Sequence, residues 1–330
     1  MELSDYSPQP TPAPASMDAV ALRRWVLLLV ALGLLVYAYG ISRTCFVGIA
    51  PASLVSWLLS YWARGSDYAH GYVVPIVAAG VFYWKWRNSL RAVPLGASNA
   101  GLLVILVAML IYYVGVKAQN PRVIAGSLVV MVFGLIYYLA GWEWAKQLWF
   151  PCAFLIFMIP LNFLEESVAF PLRVFVANLS VKFLNGFGLD VIQDGTAIRS
   201  LQGRFMPLDV ANPCSGIRSL VALMALTSLY GYVTMDCGWK KWVLFFSSMP
   251  LAVIGNLARI STVALVAQGF GQDLAMKVYH EYSGYIVFSL AILSMLALGA
   301  ALNLHYRDWI NHWMQDEEPP PPPPRRTKKQ

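Results

Sequence analysis

The sequence predicts an all-α polytopic membrane protein of about eight transmembrane helices carrying a small helix-and-hairpin cap. Three observations predict it. The first is composition: of 330 residues, 58% are hydrophobic and only 12% charged, with a mean hydropathy of +0.57, where soluble domains are usually about 45–50% apolar. The second is a series of apolar runs near the roughly 20 residues that a helix needs to cross about 30 Å of hydrocarbon. The third is the distribution of positive charge between those runs.

The runs are Trp25–Ile41, Gly71–Trp86, Ala100–Val116, Val123–Ala140, Leu148–Phe163, Ser215–Val233, Trp242–Ala267 and Tyr282–Leu304. The stretch Cys45–Trp62 is also apolar, but Pro51 and three serines interrupt it, so it reads as a re-entrant or interfacial segment. Charge supports leaving it out. With eight spans, Arg23 and Arg24, Lys85, Arg87 and Arg91, Lys240 and Lys241, and the tail residues Arg325, Arg326, Lys328 and Lys329 all fall on one side, which the positive-inside rule makes cytoplasmic. Lys117 and Arg122 are the exceptions on the opposite side.

The organisation that follows is a disordered cytoplasmic amino-terminus over 1–22, a membrane domain over 23–304 and a cytoplasmic Pro-rich basic tail over 305–330, with both termini inside. The first run is longer than a signal-peptide core and is kept as a mature span. The net charge of +7 is accounted for by cytoplasmic loops and tail, and no nucleic-acid module, phosphate loop or internal repeat is present. The one long polar interval, 163–213, becomes an extracytoplasmic cap. Within it Ser167–Phe187 reads as an amphipathic helix lying on the membrane, and Val191–Val210 as hairpins turning at Asp194-Gly195 and Gln202-Gly203.

The cap leads directly into Asn212-Pro213-Cys214-Ser215-Gly216-Ile217-Arg218. Asn212 suits an N-cap and Pro213 a first helical position, which places the Cys214 thiol in the first turn of the sixth span. Free backbone donors and nearby cations there favour a thiolate, and Arg218 follows four residues later on the same face. The plainer alternative makes Cys214 a small buried hydrophobe and Arg218 an interfacial anchor. Arg259 weighs against it. It lies within the seventh span, about 10–15 Å below the outer end and on the face of Asn256, where an arginine costs several kcal/mol unless paired or facing water. Pairing with a carboxylate or backbone carbonyls is the structural alternative. His280 stands at the entrance to the last span, one turn before Gly284. A helix start disfavours imidazolium, so His280 suits a neutral base or proton shuttle.

Other chemistries fit less well. Four cysteines and four histidines show no Cys-x-x-Cys or His-x-x-x-His spacing, and the topology divides them between the two sides, so no metal or other cofactor is expected. A disulfide between Cys45 and Cys214 is geometrically conceivable in an oxidising exterior, and it would abolish the nucleophile.

The Cys-Ser-Gly-Ile-Arg segment at Cys214–Arg218, the Asn-x-x-Arg helix at Asn256–Arg259 and the histidine at His280 resemble the exosortase/archaeosortase family. The segment from Asp67 through His70 and Gly71 to Pro75 is similar to that family's amino-proximal Ser-His-Gly segment. Phe150-Pro151 through Ile159-Pro160 looks like its central helix. The resemblance implies a membrane-embedded cysteine transpeptidase with Cys214 as nucleophile, Arg259 as electrostatic stabiliser and His280 as acid and base. Arg218, Asn256, Ser215, Gly216, His70, Glu281 and Gly284 are the supporting positions. Its implied partners are membrane-tethered proteins ending in a sorting signal of the PEP-CTERM-like kind, a cell-surface acceptor and the bilayer, in a cell inner membrane with the site on the extracytoplasmic side. Two departures stand out: Ala69 precedes His70 where the family has Ser, and Pro213 precedes Cys214 where a small residue is expected. Two other outcomes stay open from the residues alone, a membrane protease that releases its product to water and a non-enzymatic transporter that holds an anion or lipid on the basic residues.

The charge pattern makes a topological prediction. Protease added outside intact cells should cut within 163–213 and leave a tag on the 305–330 tail untouched, as read by immunoblotting; a cleaved tail would reverse the orientation.

Overall fold

The computed structural model describes residues 19–63, 68–160, 167, 168, 170–203, 205, 207–209, 216–275 and 280–304. It is mostly helical and divides into two compact units, Met1–Asn162 and Phe163–Gln330.

In the first unit, helix α1 (Ala19–Leu35) runs into a π-helical turn, Val36–Ile41. An antiparallel hairpin of β1 (Cys45–Val47) and β2 (Ala50–Ala52) follows. Ser53 then caps α2 (Leu54–Trp62) by accepting from the Ser56 N–H. Nine residues rise about 14 Å, under half the hydrocarbon thickness, so Cys45–Trp62 is a hairpin and a short helix and not a crossing. Helices α3 (Val73–Asn88), α4 (Ala100–Lys117), α5 (Pro121–Ala140) and α6 (Trp142–Phe154) complete the unit.

The tightest pairing here is α4 on α5, and small residues make it. Gly101, Ala108 and Gly115 recur every seven residues on α4 and are buried, the spacing that keeps one seam against a neighbour. A Cβ at Gly101 would overlap the backbone nitrogen of Tyr138, and one at Gly115 would stand 2.9 Å from that of Ile124. From α5, a Cβ at Gly134 would approach Ile105 N to 3.1 Å. The π-helical turn is pinned to this pair: Tyr39 donates to Ser127 Oγ at 2.9 Å, and Ser127 donates onward to the Ile124 carbonyl. On the outer face of α4, Leu103, Leu110 and Tyr113 are more than half exposed, a surface suited to hydrocarbon and not to water.

The expected run Leu148–Phe163 is not one continuous helix. Pro151 sits inside α6, which stops at Phe154 and tightens into a 3₁₀ turn, Leu155–Met158. Side chains take up carbonyls freed beyond that point: Trp62 Nε1 donates to Met158 O at 2.9 Å and Arg122 Nε to Pro160 O at 3.0 Å. Among the described residues, four helical segments are long and apolar enough to cross a membrane, namely 100–117, 121–140, 238–270 and 284–303. Helix α3, at sixteen residues, rises about 24 Å and falls short. The chain is thus a helical multi-pass membrane protein, and four of the eight expected runs are met by such segments among the described residues.

The second unit contains α7 (Phe170–Gly186), a three-stranded antiparallel sheet of β3 (Val191–Asp194), β4 (Ala197–Ser200) and β5 (Leu208–Asp209), then α8 (Gly216–Thr234), α9 (Gly238–Phe270), the short α10 (Gln272–Leu274) and α11 (His280–Asn303). The hairpin turns fall where the sequence put them, with Gly195 and Gly203 at φ +62° and +67°. The helix expected over Ser167–Phe187 has a more definite place than a bare membrane surface. Its face bearing Val176, Ala177 and Leu184 packs with Val191 and Ile198 of the sheet and with Ile260, Val263, Ala264 and Ala267 of α9. Asn185 ties helix to strand by accepting from Val191 N and donating to Val191 O. The expectations for 1–18 and 305–330 lie outside the described residues.

Replacing Gly101 by Leu should lower the unfolding free energy in detergent by about 1–3 kcal/mol, the usual range for overpacking, measured by denaturant titration. Leu103→Ala on the exposed face of α4 should change it by under about 0.5 kcal/mol.

Candidate active site

Helix α9 sets the site because its residues face α8 on one side and α11 on another. Ala252, Gly255, Asn256 and Arg259 recur at intervals of three and four, and so do Gly284, Val287, Phe288 and Ala291 on α11. With Leu223 of α8 and Leu251 these two stripes line one small cleft. Glycines hold it narrow: a Cβ at Gly255 would stand 3.0 Å from Val287 Cγ1, and a Cβ at Gly284 would stand 3.4 Å from both Cζ and Nη2 of Arg259. The guanidinium therefore faces α11 at Gly284 across a space that would just take a methyl group. Arg259 is half-buried and Asn256 is only 8% exposed. The other described residues lining the cleft are apolar or glycine.

The three helices are held at a common height by Leu220, Leu223, Ala252 and Ala291, which share one apolar cluster. They alternate in direction, and at the far end Asn303 Nδ2 of α11 donates to the Thr234 carbonyl of α8 at 3.2 Å. From Leu223 back to Gly216, from Ala252 to Arg259 and from Ala291 back to Gly284 is the same rise of about 10 Å. Gly216, Arg259 and Gly284 thus stand level at one end of the bundle. His280 and Glu281 begin α11 four and three residues before Gly284, on the helix face that carries Gly284. Arg218 is the third residue of α8. Cys214 and Ser215, with the expected Asn212 cap and Pro213, lie outside the described residues.

A family model for the transmembrane exosortases matches residues 62–297. The chain belongs to the transmembrane exosortase family. Comparisons with curated proteins and with solved structures returned no match. Membership makes the chain a transmembrane protein of the sorting-transpeptidase class.

The exosortase segment around His70 belongs to the first unit and is described there by itself. Ala69–Tyr72 form a 3₁₀ turn in which His70 is half-buried and its Nε2 fully so. Gly71 has a steric reason to be there, since a Cβ would fall inside the Trp62 indole. That indole also holds the Met158 carbonyl, so the His70-Gly71 turn and the segment ending in Ile159-Pro160 meet at one tryptophan. Trp62 and Arg122 were not singled out from the sequence. Arg122 had registered only as a positive charge on the wrong side, and its bond to Pro160 O gives it a structural task. Of the described cysteines, Cys45 and Cys152 are buried, out of reach of a substrate, and Cys237 is exposed at the start of α9. Burial pushes the Cys45 thiol up, only partly offset by the Thr44 hydroxyl, which keeps it protonated at neutral pH.

Gly284→Val should displace the Arg259 guanidinium and lower sorting activity by about 10²-fold, the scale of a misplacement near 1 Å. Gly284→Ala, whose methyl only touches the guanidinium, should keep most of it. The check is the rate of reporter processing in membranes, normalised to inserted enzyme; equal rates for Val and the parent would remove Arg259 from the site.

Proposed function

We propose that this exosortase cleaves a carboxy-terminal sorting signal of the PEP-CTERM-like kind from membrane-tethered proteins through a thioester on Cys214, and passes the acyl product to a cell-surface acceptor. The observation that carries the reading is the approach of the Arg259 guanidinium to Gly284, one turn from His280, with both at about the height of Gly216 at the start of α8. A nucleophile, a cation and a proton carrier are what acyl transfer needs, and Cys214, Arg259 and His280 are the residues we assign to those roles.

In the proposed reaction the Cys214 thiolate attacks the carbonyl carbon of the scissile peptide bond. A C–S bond forms and the carbonyl π electrons move to oxygen, where Arg259 or Arg218 stabilises the negative charge. Collapse of the tetrahedral intermediate breaks the C–N bond, and the leaving amine takes a proton from His280. The acceptor nucleophile then gives a proton to His280, attacks the thioester and releases the thiolate, which restores the starting state. His70, Ser215, Gly216, Glu281 and Asn256 are assigned supporting places.

The cellular setting belongs to the same proposal. The chain crosses the cell inner membrane eight times with both termini cytoplasmic, and the cap of α7 and β3–β5 with the level of Arg259 is extracytoplasmic. A substrate anchored by its own membrane helix would present its signal at that level as the helix emerges.

In membranes holding a co-expressed reporter with such a tail, Cys214→Ala and Cys214→Ser should insert normally and stop processing. Arg259→Ala should slow it by about 10²–10³-fold, the loss typical of an oxyanion contact. Mass spectrometry should find a reporter thioester on Cys214 of the parent. Processing that persists without the thiol would refute covalent catalysis.

A further inference from the structure

We infer that the carboxy-terminal end of α3 binds an anionic phospholipid, whose phosphate is held by Arg87 and Arg91 beside the Trp86 ring. The site lies wholly in the first unit, and the inference is independent of the transpeptidase reading.

Helix α3 ends in Tyr83-Trp84-Lys85-Trp86-Arg87-Asn88, and a 3₁₀ turn, Leu90–Ala92, carries Arg91. Spacings of three and four put Tyr83, Trp86 and Arg87 on one face of the helix, and the Tyr83 and Trp86 rings lie 5.8 Å apart. The turn brings Arg91 back to that aromatic pair, with its Cζ 4.5 Å from the centre of the Trp86 ring. Cation–π attraction uses charge and no hydrogen bond, so a guanidinium fixed in this way keeps its donors for an acceptor.

The protein offers these arginines no counter-ion. Glu143 is the one carboxylate side chain among the described residues of the first unit, and it pairs with Lys146 at 2.6 Å. That pair stands at the start of α6, which is tied to this end of α3 by Trp144 Nε1 donating to Val93 O at 3.3 Å. Arg87 and Arg91 are exposed and make no ion pair with a described residue.

Two features make the missing anion a lipid phosphate. Trp84 and Trp142, 42% and 54% exposed, join Trp86 and Trp144 at this end, and tryptophan collects where headgroups meet hydrocarbon. Helix α3 itself rises only about 24 Å, so its basic end is drawn to the headgroups or draws them in. Guanidinium groups bind phosphate through paired N–H donors. Two of them with no carboxylate to share favour a lipid of net negative charge over a zwitterionic one.

The full-length enzyme in neutral detergent is titrated with phosphatidylglycerol or phosphatidylcholine, and bound lipid is read by native mass spectrometry. The parent should retain phosphatidylglycerol preferentially. Arg87→Gln and Arg91→Gln should each weaken that retention about fivefold, and the double variant at least about tenfold. Trp86→Leu keeps both charges and should also weaken it, because Arg91 loses its seat. Lys240→Gln with Lys241→Gln removes the same charge from the start of α9 and should leave retention within about twofold of the parent. Equal losses in this control would mean diffuse attraction to the whole surface and overturn the inference, as would parental retention by the Arg87 and Arg91 double variant. Inorganic phosphate that raises the parent's thermal midpoint as much as phosphatidylglycerol does would make the occupant a free ion and overturn the lipid assignment. In phosphatidylcholine vesicles the arginine variants should unfold at the parental midpoint; a lower midpoint there would give the arginines a packing role instead.

Discussion

A guanidinium set into an apolar helix bundle is the constraint around which the second unit is arranged. An arginine at that depth costs several kcal/mol unless it is paired or faces water, and Gly284 opposite it, having no side chain, leaves the planar cation room beside α11. That contact brings α9 and α11 together at the height where α8 begins. The alternation of large and small residues below, Leu223 and Phe288 against Ala252, Gly255 and Ala291, keeps the helices at that separation.

The cap belongs to the same arrangement. Its α7 and its sheet share a core with the carboxy-terminal third of α9, through Ile260, Val263, Ala264 and Ala267. Those residues are the continuation of the helix that carries Arg259, on a different face. The cap therefore buttresses the helix from one side while α8 and α11 line the cleft from another. Amide side chains complete the joint, with Gln193 donating to Val174 O and to Gly195 O. In the first unit, a comparable economy governs the broken helix α6. Where Pro151 and the 3₁₀ turn divert the chain, Trp62 and Arg122 take the Met158 and Pro160 carbonyls, as backbone acceptors away from water require.

Much of this is legible in residue order. The apolar runs that became α4, α5, α9 and α11 are long enough for hydrocarbon thickness to dictate a helix, and α9 runs on through Pro250. The turns at Gly195 and Gly203 were readable because a glycine at positive φ is the chemical condition for them. Within the run Leu148–Phe163, hydropathy did not register the end of α6 at Phe154 and the 3₁₀ turn that follows it. Arg259 and Asn256 could be put on one face by counting, and His280 one turn from Gly284 likewise. The close seat of Arg259 on Gly284 could not, since two residues on different helices meet only through the packing of both.

The sequence by itself determined the solvent of this protein, the family it belongs to, the helix periods and the chemical inventory of Cys214, Arg259 and His280, because these follow from composition, spacing and side-chain type. Only the tertiary structure decided which helix faces turn inward, that Gly216, Arg259 and Gly284 stand level, that Asn256 is enclosed in the Arg259 cleft and that Trp62 joins the His70 turn to the Met158 carbonyl. The physical reason is that helix crossing and height are set by side-chain packing between segments far apart in the chain, and no local pattern carries that information.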